Sequence, residues 1–423
     1  MTDSSRRTFL GAAAAVSTLP VTKSPLFKKR PDELRVGLIG CGGRGTGAAS
    51  QALRADSEAR LVAMGDAFGD RLDRSFNGLQ STDVAEQLDV PESRRFTGFN
   101  AFQQVIDQDL DVVILASPPH FRPHHLKAAI DKGLHVFAEK PVAVDAPGLH
   151  SVLDSCRRAK EKNLNVVSGL CYRYHEGRQA IMKEIHEGRI GEIRSLNANY
   201  ITGGLWSHAR TPEWSDMEWQ VRNWIYFTWL SGDHIAEQHI HSLDVMAWAM
   251  QDKYPVSALS MGGRQSRVQP EYGHVFDHFS TIFEWENGVK GHSYCRQQVG
   301  CDRDVNDYIY GQTGDANVFR HRITGENPWQ YDGDEGAMFG AMYQNEHDEL
   351  FKAIRGKGDT INNGEYMCNS TMMAVMGRMS AYTGKKITWD QAWESEEILG
   401  PDSYEFGSID VPEIARPGIT PFR

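Results

Sequence analysis

Six consecutive residues constrain this chain most: Gly40, Cys41, Gly42, Gly43, Arg44 and Gly45 form a G-x-G-x-x-G. The apolar run Leu34 to Ile39 precedes them, and a stretch rich in small residues follows to Leu53. A strand before and a helix after give the triplet its physical meaning. Gly40 makes the turn, Gly42 lets backbone approach a pyrophosphate, and Gly45 lets helix and strand pack closely. The phosphates then face a helix N-terminus, where free N–H groups and the helix dipole favour anions.

A second apolar run, Ala59 to Asp66, ends on a carboxylate twenty-one residues past Gly45. An acidic side chain there accepts hydrogen bonds from the adenosine ribose hydroxyls and repels a 2′-phosphate, so NAD is expected rather than NADP. The competing reading is that Asp66 caps the next segment. Strand and helix patterns then alternate through Asp109–Pro119, His124–Gly133, Leu134–Asp145, Ala146–Asn163 and Leu164–Tyr174. This spacing predicts an α/β doubly wound parallel sheet. Ligands of such sheets lie beyond the carboxyl ends of the strands. Those ends are Gly40, Asp66, Ser117 with His120 close behind, Glu139–Lys140–Pro141, and Arg173, and all are cofactor-crevice candidates.

Two stretches carry the chemistry. Lys140 follows an apolar strand and precedes a proline that fixes the local backbone, in cis or trans. An ammonium there can hydrogen-bond an alcohol oxygen and stabilise developing alkoxide charge; the bland alternative is a surface lysine. Ser231 to Met250 reads as a helix after a Ser-Gly break, with His234, Glu237, His241, Asp244 and Trp248 spaced by three or four and so on one face. His239 points elsewhere. One reading makes His241 a general base oriented by the carboxylates one turn away. Another uses the His and Glu groups as metal ligands, and a third is a solvated face. No metal site is assigned. Farther out, Trp214, Trp219, Trp224 and Trp229 cluster with Arg222, Tyr226 and Phe227. Arg222, Trp224 and Tyr226 are candidates for a sugar-stacking wall, the alternative being core. Asp277–His278, on a hairpin turned by Glu286–Gly288, is a further pair.

The glycine loop, Glu139–Lys140–Pro141 and the Glu237-x-x-x-His241-x-x-Asp244 helix, in that order, resemble the glucose–fructose oxidoreductase / inositol dehydrogenase / MocA (Gfo/Idh/MocA) family. The resemblance covers Leu34 to about Trp393. It implies catalytic roles for Lys140 and His241, with Glu237 and Asp244 beside them, and a second α+β domain with an open, mostly antiparallel sheet that covers the nicotinamide and often forms the oligomer contact. Glu237 departs from the Asp usual in the family, which bears on the substrate. The implied organisation is a leader at 1–30, a Rossmann dinucleotide domain at 31–168 and a substrate and oligomerisation domain at 169–423. The implied activity is oxidation or reduction of a secondary alcohol or ketone on a sugar, glycoside or cyclitol. Alternatives are a redox-neutral glycosidase or lyase passing through a transient keto-sugar, and a non-catalytic sugar-binding protein.

The first thirty residues bear on the cofactor. Ser5-Arg6-Arg7-Thr8-Phe9-Leu10 before a weakly apolar, alanine-rich stretch matches a twin-arginine export signal; a chance arginine pair in a tail is the alternative. That route carries folded proteins, so the dinucleotide would be loaded before export and travel bound. The partner is then the twin-arginine translocase and the destination the periplasm, with a membrane anchor if the signal stays uncleaved. The best apolar candidate, Phe9 to Val21, is shorter than the ~20 residues a spanning helix needs. A net charge of −11 argues against nucleic acid. The six cysteines show neither CxxC nor zinc spacing and read as free.

Overall fold

Leu34–Ile39 forms β1, and all its side chains are buried, as a strand covered on both faces requires. The computed structural model describes residues 32–423; the Arg6–Arg7 signal lies outside the described residues. After β1 come α1 (Gly43–Ala55), β2 (Ala59–Asp66), α2 (Gly69–Gln80), β3 (Arg95–Thr97), α3 (Ala101–Ile106), β4 (Val112–Leu115), α4 (Arg122–Lys132), β5 (His135–Ala138), α5 (Ala146–Glu161) and β6 (Val166–Ser168). The strands make one parallel sheet in the order β3-β2-β1-β4-β5-β6. The order reverses between β1 and β4, where Leu38 faces Met64 on one side and Ile114 on the other. A crevice opens at such a reversal, beyond the strand ends. Gly40 and Ser117 stand there.

Two predicted strands are shorter than their apolar runs. β5 stops at Ala138, and the Lys140–Pro141 bond that follows is cis. β6 stops at Ser168 and gives way to a tight helical turn at Cys171–Tyr174. Asp145 starts α5 by accepting the Gly148 N–H at 2.9 Å, which satisfies one of the helix's free donors.

α6 (Glu176–His186) leads into β7 (Ile193–Thr202). Then come α7 (Asp216–Arg222), α8 (Thr228–Ser231), α9 (His234–Glu237) and α10 (Ile240–Ala249), and the strands β8 (Ser257–Gly263), β9 (His278–Glu284), β10 (Lys290–Gln297), β11 (Asp304–Gly311), β12 (Gly314–Asn317), β13 (Arg322–Gly325) and β14 (Trp329–Gln330). α11 (Glu335–Ile354), α12 (Gly364–Thr383) and the short β15 (Ile387–Thr388) follow. The second sheet runs β14-β13-β12-β11-β7-β10-β9-β8-β15, antiparallel throughout except β7 with β10. The expected β9–β10 hairpin is present, with His292 opposite Ile282. Leu196 and Ala198 alternate inward on β7. α12 is buried over most of its length and packs between α5 and β8, joining the cores of the two sheets.

The Ser231–Gly232 break is present, but the helix expected after it is two pieces, α9 and α10. Gly232 and Asp233 both take positive φ, +74° and +68°. The buried Asp233 carboxylate holds this turn, accepting from the His234 N–H (2.6 Å), the Phe276 N–H (2.9 Å) and the Tyr382 hydroxyl (2.6 Å). A second break follows Glu237, where the buried His239 ring is tied to Ser293 of β10 at 2.6 Å. Polar anchors outweigh helical continuity here. All six cysteines are free, and only Cys301 is exposed. Among the described residues no helix is long and apolar enough to cross a membrane.

Candidate functional site

The glycines act as their spacing predicts. Gly40 has φ +95°, and a Cβ on it would stand 2.4 Å from the Ser117 nitrogen. A Cβ on Gly45 would stand 1.9 Å from the Gly40 carbonyl oxygen, so α1 lies against the strand exit with no room for a side chain. Gly42 and Gly43 have nothing within 4 Å on that side. Their backbone faces a cavity of about 850 Å³ lined by the whole loop from Gly40 to Gly45, by Asp66 and by Ser117. Asp66 is held by two backbone donors, Cys41 N–H at 2.7 Å and Phe68 N–H at 2.9 Å, while burial raises its pKa. An open glycine cradle at a helix N-terminus with a fixed carboxylate beyond it fits a dinucleotide.

Gly45→Ala is expected to force α1 off β1, because the obstacle is backbone. Dinucleotide affinity should fall at least about thirtyfold (about 2 kcal/mol), read by fluorescence titration. Gly47→Ala, whose Cβ would meet only the flexible end of Arg44 at 3.4 Å, is the neutral control.

Arg44 belongs to the cavity-lining loop, but its guanidinium is tied up by carboxylates. Its guanidinium donates to Glu139 and, at 2.8 Å, to Glu346 of α11, and lies over the Tyr343 ring. Burial raises the Glu346 pKa well above the usual carboxylate value, with Arg44 pulling it back. Glu139 is therefore a support of the loop and does not line the cavity. Truncating Arg44 would strand buried carboxylates, a type of loss that costs about 3–5 kcal/mol.

Lys140 and Glu237 come together. The Lys140 ammonium donates to the Glu237 carbonyl oxygen and lies 3.6 Å from its carboxylate. His241 follows on α10, buried, its ring stacked on Tyr172 at 4.7 Å, with Nδ1 unpartnered. Burial, reinforced by Lys140, Arg178 and Arg44, pushes its pKa well below the ordinary histidine value. Lys140 lies just past β5, the neighbour of β4, and Ser117 beyond the end of β4 lines the cavity. Lys140, Glu237 and His241 do not line that cavity themselves.

Several expected placements are corrected. Asp244 does not orient His241: its carboxylate takes both arms of Arg173 at 2.9 Å and the Ser370 hydroxyl at 2.8 Å. Nor does Glu237 hydrogen-bond the imidazole, so neither carboxylate raises its basicity. Arg173 also pairs with Asp252 and lies over Tyr366, which makes it part of a buried brace, away from the dinucleotide cavity. His120 is buried against Trp229 and shares a 2.8 Å hydrogen bond with Tyr404 of the C-terminal segment, so it supports the cavity wall from behind. Tyr226 is fully buried, its hydroxyl donating to the Leu205 and Trp206 carbonyls. Arg222 and Trp224 line the dinucleotide cavity and form no separate sugar wall; Arg222 pairs with Asp70 and Glu218. Asp277 organises a loop: its Oδ2 accepts the N–H groups of Gln265, Ser266 and Arg267 at 2.6–3.0 Å, and its Oδ1 meets His278 at 2.8 Å. Burial opposes its charge, but these donors hold its pKa well below the carboxylate range.

Other groups near His241 escaped sequence reading. Asp307 on β11 is buried among inward-facing apolar neighbours, and burial raises its pKa to about 6. Arg178 lies fully buried over the Tyr172 ring at 3.5 Å. A charged residue at an inward position of an alternating strand is the signal that would have found Asp307.

Residues 34–167 match a family model described as "Oxidoreductase family, NAD-binding Rossmann fold", and residues 179–317 match "GFO/IDH/MocA C-terminal domain". Among curated proteins, inositol 2-dehydrogenase 4 of Saccharopolyspora erythraea is 31% identical over 160 residues, 38% of this chain and 43% of that protein. The 2,7-anhydro-N-acetylneuraminate hydratase of Escherichia coli K12 is 26% identical over 179 residues, 42% of this chain and 44% of that protein. These alignments span less than half the length of either relative. A crystal structure of apo scyllo-inositol dehydrogenase from Lactobacillus casei superposes with TM-score 0.64 at 16% identity, covering 85% of this chain and 98% of that one. At that identity the likeness shows the fold alone.

Proposed function

The chain belongs to the Gfo/Idh/MocA oxidoreductase family, and from that premise we propose that it oxidises or reduces a secondary alcohol or ketone on a sugar, glycoside or cyclitol, using tightly held NAD. The single observation that carries this reading is the meeting of Lys140 with Glu237, with His241 within reach of the Lys140 charge. The Gly42–Gly43 backbone and the start of α1 would hold the pyrophosphate, and Asp66 the adenosine ribose. When bound, the dinucleotide supplies the hydride acceptor or donor. Lys140 donates to the substrate oxygen and favours its alkoxide character. His241, kept neutral by its burial, accepts the hydroxyl proton in the oxidative direction and returns it in reverse. NAD is the proposed form because of Asp66. Arg71, whose charge acts on Asp66, and Arg74 line the same cavity and would suit a phosphate, so the dinucleotide must be identified directly.

The name of the E. coli relative favours a second reading. Hydration involves no net redox change, so a closed cycle through a transient ketone, ending in glycoside cleavage or elimination, uses the same residues. Export by the twin-arginine route, with the cofactor loaded first, remains part of the proposal. So does a homo-oligomer: the face of the second sheet opposite α10 and α12 exposes Leu259, Met261, Ile282 and Tyr294, which suits a second copy.

The test is mass spectrometry of any dinucleotide released from undialysed protein, with absorbance near 340 nm followed as inositols, free sugars and glycosides are added. Stable reduction supports the oxidoreductase. Cleaved glycoside without net reduction supports the closed cycle. A protein that carries no dinucleotide and binds none on titration would sink both.

A further inference from the structure

Three residues distant in sequence converge on one point. His175 stands at the entry to α6, His321 in the turn between β12 and β13, and Glu335 at the first position of α11. One ligand atom from each lies within 4.8 Å of the others. His175 Nε2 is 3.6 Å from Glu335 Oε1, and His321 Nε2 is 3.4 Å from Glu335 Oε2. His175 is fully buried and His321 is 4% exposed. Neither ring nitrogen of His175, nor His321 Nε2, nor either Glu335 oxygen has a hydrogen-bond partner. Three side chains that each bring an unpartnered buried ligand atom to one point are rare without a ligand.

The local backbone is shaped to bring them there. His321 takes φ +47°, a left-handed conformation that side chains with a Cβ seldom adopt. A Cβ on Gly177 would stand 2.7 Å from His321 Cε1 and Nδ1, so the first turn of α6 leaves room for the imidazole. The Tyr331 N–H, donating to the His321 carbonyl at 3.0 Å, holds the turn from the other side.

We propose that His175, His321 and Glu335 bind one divalent transition-metal ion of the zinc class. Two imidazoles and one carboxylate suit zinc and its neighbours, whereas calcium and magnesium prefer all-oxygen sets. Zinc bonds of about 2.0–2.2 Å place tetrahedral ligands about 3.3–3.6 Å apart, close to the two His–Glu gaps of 3.6 and 3.4 Å. The fourth position falls to water or an exogenous ligand. The ion joins three segments, two of which, α11 and the turn ending at Tyr174, are already tied by Asn345 donating to the Tyr174 carbonyl at 3.0 Å. One carries Tyr172, which stacks on His241, and another carries Glu346, which pins Arg44. Arg178, on α6, is a neighbouring positive charge; it lies over the Tyr172 and Phe319 rings, and Asp307 counters it. The Arg178 guanidinium, which has no hydrogen-bond partner, makes an anion the rival occupant, and Glu335 opposes one.

The experiment uses untagged full-length protein, stripped with a chelator and titrated with Co²⁺, with visible d–d absorption as the readout and Zn²⁺ as competitor. One equivalent is expected to bind and to be displaced by Zn²⁺. Glu335→Gln, at a half-exposed position, and His321→Asn, which tolerates the left-handed backbone, should each weaken binding at least about 100-fold while keeping the native circular dichroism. Absence of a stoichiometric cobalt spectrum in the wild-type protein would overturn the proposal. So would unchanged affinity in Glu335→Gln, or an anion such as sulfate protecting the cluster where cobalt does not.

Discussion

Lys140→Met is expected to lower kcat by about three orders of magnitude while leaving dinucleotide affinity within about twofold. Methionine approximates the length of the lysine stem but carries no charge. The change removes the ammonium that touches Glu237, and with it the donor proposed to stabilise the developing alkoxide. Loss of a single donor of this kind costs about 10²–10³ in kcat, and disruption of the proton transfer it assists adds to that. The dinucleotide cavity is lined by other residues, so binding should persist. The readout is kcat against KM on the first polyol found to reduce the bound cofactor, together with fluorescence titration of NADH. A variant within tenfold of wild type would remove Lys140 from the chemistry and restore the sugar-binding alternative. His241→Asn should lose a comparable factor. Because the imidazole pKa is depressed, the acid limb of the wild-type kcat/KM profile should lie below the ordinary histidine value of 6.5.

The second large effect is on stability in mild acid. Burial pushes the histidine pKa down to about 4 at His120 and His274, to about 3 at His239, and well below the ordinary value at His125, His241 and His347. In the unfolded chain each takes a proton near pH 6.5; in the folded chain each stays neutral until the pH falls to its depressed value. The unfolded state therefore binds more protons in the window between, and stability falls as pH drops below 6.5. Above 6.5 there is no penalty. Each such histidine costs about 2 kcal/mol between pH 7 and pH 5. Asp307 and Glu346, whose pKa values are raised, work the other way and offset part of this. A net loss of several kcal/mol remains, which for a chain this long lowers Tm by roughly 10 °C. Differential scanning fluorimetry from pH 7.5 to 5 reads it. A flat Tm across that range would mean that these rings are already protonated or hydrated in the folded state.

Local pattern sufficed where one stretch of chain contains the whole physical requirement. The glycine loop is such a case: turn, pyrophosphate approach and helix packing are all met within Gly40 to Gly45, and the structure shows the open cradle and the two tight contacts at those positions. The parallel sheet was legible for the same reason, since fully buried strands must be continuously apolar. The meeting of Lys140 with Glu237 was legible only through family resemblance, because 97 residues separate them. What failed was the assumption that three-and-four spacing guarantees one helix face. The Ser231–Gly232 break was legible, and Asp233 fixes it through α12 and the segment entering β9, but His239 bonds to Ser293 of β10 where the helix breaks a second time, which the spacing did not show.

The sequence by itself determined the dinucleotide half, the family, and which residue types could carry acid–base chemistry, because short-range sterics and periodicity are written in consecutive residues. Only the tertiary structure decided which charges remain available. It committed Asp244 and Arg173 to each other, set Arg44 between Glu139 and Glu346, moved Tyr226 into the core, and brought His175, His321 and Glu335 to one point. Those outcomes depend on long-range pairing, where a buried charge takes whichever partner folding brings within reach, and no local spacing encodes that choice.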